Sequence, residues 1–125
     1  MIEIREGSGR HEVTCGCVLT ENGLITHLLG GEKPHVGGVV LSSPRKSLTG
    51  RGIGCDSWVT PLPGHKDTIV GQKFAETLCV SLNLPVSLTA GIHIENATGD
   101  DIAEISLNCE RLARRLLDII RGAGY

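Results

Sequence analysis

Aromatic side chains are nearly missing from this chain: Trp58, Phe74 and Tyr125 are its whole aromatic complement. That argues against a platform that stacks single-stranded nucleic acid on rings. It also means that a core must be built from Val, Ile, Leu, Ala and Cys. Long apolar runs are missing as well. No window approaches the ~18 continuous apolar residues of a membrane-crossing helix, and the opening MIEIREGSGR lacks the apolar stretch of a secretory signal. Nor is there an excess of one charge. A net charge of −2 sets up no field that would draw the chain to nucleic acid or an acidic membrane. Without an export signal the chain reads as cytoplasmic. Its five cysteines, odd in number and irregular in spacing, then read as reduced thiols. Asn96-Ala97-Thr98 matches a glycosylation pattern, which reads as accidental for the same reason.

Glycine, by contrast, is abundant. It occupies 17 of 125 positions, about twice the usual ~7%. The length fits one domain spanning 1–125. IEIRE alternates as a short strand, and HEVTCGCVLT follows with Val13, Cys15, Cys17 and Leu19 on one face. Asn22-Gly23 between apolar alternations predicts an antiparallel hairpin into LITHLLG. VGGVVLSS and CDSWVTPL read as further strands, with SPRKSLTGRGIG between them as a mobile loop. From Lys66 the period turns helical, with Ile69, Val70, Phe74, Leu78 and Cys79 recurring up to about Leu82.

LPVSLTAGIHIE then returns to the clearest alternation in the chain. Leu84, Val86, Leu88, Ala90, Ile92 and Ile94 share one face, and Pro85, Ser87, Thr89, Gly91, His93 and Glu95 the other. A long helix closes the chain. Thr98 and Asp101 stand like a capping box at its start, and Ile102, Ile105, Cys109, Leu112, Leu116 and Ile119 form its expected stripe. The order strands, helix, strand, helix predicts an α+β fold of two layers. A mostly antiparallel sheet of about five or six strands would carry both helices on one face. The small polar face of residues 87–95 is then left open and reads as the floor of a groove. On that reading a valine at Gly91 blocks a ligand while the fold survives.

Three strings are built alike, namely GGEKPH (30–35), LPGHKD (62–67) and AGIHIEN (90–96). Each carries glycine, a histidine and nearby charge at a junction between elements, where sites concentrate. They supply Gly31, Glu32, Lys33, His35, His65, Lys66, Gly91 and His93 as candidate binding residues. His65 and Lys66 stand at a predicted helix start, whose free amides and dipole favour an anion such as phosphate. His35, His65 and His93 could instead form a three-histidine metal site in a metal-dependent enzyme. They lack the tight local spacing usual for one, and the candidate set carries no metal ligand and no catalytic residue. GRGIG at 50–54 precedes a strand, which is the wrong context for a dinucleotide fingerprint. Cys15 and Cys17 keep apolar company and read as core thiols, and nothing marks Cys55 as an activated nucleophile.

GGEKPHVGGVVL, PLPGHKD and AGIHIENAT, in that order with a terminal helix, resemble the LpdD-like prenylated flavin chaperone family. This is the small D subunit associated with hydroxyarylic acid (gallate-type) decarboxylases, and the resemblance spans nearly the whole chain. It implies a fold like that of proteasome assembly chaperones and a homo-oligomer. The implied role is not catalysis but the binding of reduced prenylated FMN as cargo, in support of a UbiD-type decarboxylase. The chain departs from common flavin sites in having only Trp58 available to stack on the ring. A pure assembly chaperone with no small ligand remains the other binding-protein reading.

Overall fold

The computed structural model describes residues 1–124, so Tyr125 lies outside the described residues. Period-two alternation gives β1 (Ile2–Glu6) and β2 (Val13–Thr20), separated by a single 3-10 turn at Gly9–His11. β3 (Gly23–Gly31) returns antiparallel to β2, with Thr20 opposite Gly23, so the turn itself is Glu21-Asn22, one residue before the predicted pair. β4 (Gly38–Lys46) and β5 (Ile53–Pro61) form a second hairpin. α1 (Asp67–Leu82) follows, and stops where Asn83 adopts the left-handed conformation and donates its N–H to the Cys79 carbonyl. β6 (Val86–His93) and α2 (Gly99–Gly122) complete the chain.

The sheet order is β1-β2-β3-β6-β4-β5. Every pairing is antiparallel except β3 with β6. The predicted architecture is therefore present: six strands in one layer and two helices in the other. Val13, Cys15, Leu24, Leu28, Val40, Val86, Leu88 and Ala90 face the helices and are buried against Phe74, Leu78, Leu112 and Leu116. Four of the five thiols are buried and all are free. Burial pushes Cys15 and Cys109 up to about 12, and Cys17 and Cys79 to about 11. They stay protonated at neutral pH and serve as small core residues. No helix among the described residues is long and apolar enough to cross a membrane.

Three expectations need correction. The segment read as a mobile loop is largely strand. Ser43 through Lys46 pair with Asp56 back to Ile53, which leaves only residues 47–52 as a turn. Pro44 is tolerated because it lies beyond Ser42, the last β4 residue that pairs with β6. The stripe of α2 also differs at both ends: Ile102 and Ile119 are exposed, while Ile120 is buried. The predicted positions follow a 3.5-residue repeat. A straight helix at 3.6 drifts by ~20° per heptad, so over 24 residues the buried face moves off both ends of such a row. Finally, Ile69 of α1 is exposed rather than part of its core stripe.

The helix-free face of the sheet is not small and polar throughout. Val18, Ile25, Ser87, Leu41 and Trp58 are successive lateral neighbours across five strands. All but Ser87 are exposed, Trp58 at 60%.

Candidate functional site

β3 and β4 are consecutive in sequence, yet β6 lies between them. The connecting residues 32–37 must therefore pass over the carboxyl end of β6, as a strap. The Glu32 and Lys33 amides donate to the His93 carbonyl at 2.8 and 3.3 Å, and the Gly37 amide donates to the Ala90 carbonyl at 2.8 Å. The Glu32 carboxylate accepts from the Glu95 amide at 3.0 Å. Crossing this closely requires glycine. Gly31 enters the strap at φ +74, and a Cβ on Gly91 would stand 1.3 Å from the His35 carbonyl oxygen. The open floor expected at Gly91 is thus covered by main chain.

The principal cavity lies on the opposite side of β6, between the starts of the two helices, with a volume of about 550 Å³. It sits at the carboxyl end of the parallel β3/β6 pair, the kind of place where α/β sheets hold ligands. Gly64, His65, Lys66 and Asp67 form one rim, followed by Ile69 and Val70 of α1. Ile92, His93 and Ile94 supply the floor, and Ala97, Asp101, Ile102 and Ile105 close the α2 side. Most of the wall is aliphatic.

The two helix starts are chemically unlike. Thr98 and Asp101 form a reciprocal capping box, as the sequence predicts, so the amides of Thr98 and Asp101 already have side-chain acceptors. The Asp101 carboxyl is held down at about 2, chiefly by the Thr98 backbone N–H and then by His11, with the Thr98 hydroxyl and Arg10 adding to the effect. His11 Nε2 lies 2.7 Å from it and Arg10 3.1 Å. At α1 the N-cap residue is Lys66, and no side chain caps the helix. The side chain of Asp67, 5% exposed, turns away to accept the Ile92 amide at 2.6 Å. The start of α1 therefore offers amides and a lysine that has no carboxylate within ion-pair reach among the described residues. That combination suits an anion.

The fold sorts the eight candidate residues into two groups. His65, Lys66 and His93 line the cavity. Gly31, Glu32, Lys33, His35 and Gly91 build the strap and its seat on β6, off the cavity wall. Lys33 sits 3.4 Å from Glu95, which His93 Nε2 also meets at 3.1 Å. Together they hold the Glu95 carboxyl below its ordinary range, His93 most of all. The three histidines do converge: the His35 ring lies 5.0 Å from that of His65 and 6.2 Å from that of His93. One nitrogen of each ring is engaged locally, however, His93 Nε2 by Glu95. His35 Nδ1 donates to the Lys33 carbonyl at 2.8 Å, and His65 Nδ1 to the Pro63 carbonyl at 3.0 Å. His35 Nε2 lies 3.1 Å from Asp67, within ion-pair reach but off the line of a hydrogen bond. Among the described residues no group of three or more His, Cys, Asp or Glu is arranged to hold a metal.

Sequence reasoning passed over Asp67, Asp101, Ile69 and Ile102 as cavity residues. Acids in a first helical turn read as partners of the dipole, and isoleucines on a helical period read as core. Neither pattern distinguishes a cavity wall.

Fold and geometry together define a class: a two-layer α+β domain with an aliphatic cavity opening between two helix starts, one of them uncapped. The chain belongs to the LpdD-like prenylated flavin chaperones, matching the family described as prenylated flavin chaperone LpdD-like domain over residues 7–121. No curated protein matches the sequence. The match supports a chaperone role tied to prenylated flavin.

Proposed function

We propose that this protein is a non-catalytic chaperone that binds reduced prenylated FMN as cargo in the cavity between the helix starts. It delivers that cargo to a UbiD-type hydroxyarylic acid decarboxylase. One observation carries the reading within the family: a single cavity joins an uncapped helix start bearing Lys66 to aliphatic walls. Phosphate at the first and ring system against the second would satisfy both ends of a flavin mononucleotide. A volume of about 550 Å³ falls in the range of about 300–1,000 Å³ usual for cofactor sites. The test is anaerobic. The protein is titrated with reduced prenylated FMN, then mixed with cofactor-free decarboxylase. Retention near one cargo per binding site is expected, together with faster activation than an equal amount of free cofactor gives. Failure to retain the cofactor, or activation that ignores the protein, rejects the proposal.

A second copy of the chain is the partner we assign to the helix-free sheet face. The row Val18–Ile25–Ser87–Leu41–Trp58 is apolar but for Ser87 at its centre, lies in lateral register and is largely uncovered. Its nearest charges on β4 and β5, Arg45 and Asp56, are paired with each other at 2.9 Å. Six strands at ~4.8 Å spacing give a face near the ~800 Å² per partner of a standard interface. Leu41→Lys should then sediment as a monomer at concentrations where the unaltered protein is a dimer. Identical sedimentation of the two removes the assignment.

A further inference from the structure

The cavity has two unlike ends, and the aliphatic end contains an anomaly. Ile69 is 69% exposed and Ile102 58%, although each belongs to a helix whose buried face passes elsewhere. Single exposed apolar residues need no explanation. These two are not single: they border the same cavity from different helices. Among the described residues no Phe, Tyr or Trp lines that cavity, and its only rings are the imidazoles of His65 and His93. A flat ring system alone is best held by stacking on other rings. β-branched aliphatic walls instead grip saturated carbon that stands out of a plane, through many small dispersion contacts.

We infer that Ile69 and Ile102 are specificity-determining residues that close on the saturated, prenyl-derived ring of the cargo, and so separate prenylated from unprenylated FMN. The inference rests on the cavity being the cargo site. A second hollow of about 390 Å³ supports the direction it implies. It continues from Ile69 and Val70 along the helix seam to Phe74 and Cys109, and Lys73 and Glu110, 2.9 Å apart, belong to its lining. Apolar wall thus extends past Ile69, away from the Lys66 rim. The phosphate then lies toward Lys66 and the prenyl-derived ring toward the seam.

The experiment is anaerobic equilibrium dialysis of reduced prenylated FMN and reduced FMN against the full chain and its Ile69→Ser and Ile102→Ser variants. Both side chains are exposed, so both variants should fold, and circular dichroism checks that they do. The unaltered protein should prefer the prenylated ligand. Each variant should lose about tenfold in affinity for it, the scale of one lost apolar contact patch, while affinity for FMN stays within about twofold. Ile102→Val, which keeps a branched aliphatic wall, should retain most of the preference. Equal loss of both ligands, or an undiminished preference in the serine variants, overturns the inference and leaves the cargo reading standing. Retention of neither ligand by the unaltered protein overturns both.

Discussion

Gly91→Val should unfold the protein far more readily, although Gly91 contributes nothing to the cavity wall. The Cβ of any larger residue would stand 1.3 Å from the His35 carbonyl oxygen and 2.4 Å from its carbon. These are main-chain atoms and cannot swing aside as a side chain can. To make room the strap must lift, and lifting it breaks the bonds from Glu32, Lys33 and Gly37 to β6. Overpacking alone costs about 1–3 kcal/mol, and each lost bond adds about 1 kcal/mol. The total is about 4–6 kcal/mol, or a fall in Tm of order 15–25 °C for a chain of this size. Gly91→Ala should be nearly as damaging, because the first carbon already collides. His93→Ala, at a side chain 46% exposed, should shift Tm by no more than a few degrees. Thermal unfolding read by circular dichroism decides the matter, and a Gly91→Ala midpoint within about 2 °C of the unaltered protein would show that the strap is not seated as described.

Lys66→Ala should leave Tm unchanged and weaken binding of reduced prenylated FMN by about 1.5–3 kcal/mol, the usual worth of a hydrogen bond to a charged group. Lys66 is exposed on the cavity rim, at the uncapped start of α1, and has no carboxylate partner among the described residues. Lys33 looked equivalent in the sequence. In the fold it faces Glu95 at 3.4 Å and lies off the cavity wall, so Lys33→Ala should change affinity by no more than about threefold. A ligand lacking the phosphate completes the cycle: reduced prenylated riboflavin should bind both forms of the protein equally. Equal losses at the two lysines, or a Lys66→Ala effect that persists without the phosphate, would move the anion site elsewhere.

The contrast between those two lysines marks how far the sequence was legible. Alternation at residues 86–94 and the helical period from Lys66 were readable because they are local, and they delivered the element order and the two layers. The capping box at Thr98 was readable for the same reason. Strand order was not. Nothing within residues 23–46 says that a strand beginning at Val86 will enter between Leu24 and Val40. Missing that insertion hid the strap that must cross β6. Gly91 looked like open floor, since a small residue on a polar face suits a ligand's approach. It suits the approach of the protein's own main chain just as well, and the strap took the place. Exposed isoleucines were misread in the mirror-image way: Ile69 and Ile102 fit a core stripe by spacing, and only the gap between the helices shows them as cavity wall.

The position of β6 has a consequence for how the molecule is made. Until Val86–His93 emerges from the ribosome, β3 and β4 each present an unpaired edge to the other across an empty lane. Unpaired edges in an unfinished chain invite pairing with the wrong partner. The lane is filled by the strand of this sheet that comes last in chain order, and its parallel half joins Leu24 to Val86, a distant contact of the kind that closes slowly. The same strand lays Ile92 and His93 in the cavity. A ligand that binds there can engage only chains whose sheet is complete, and by mass action it draws the newly made population toward that state.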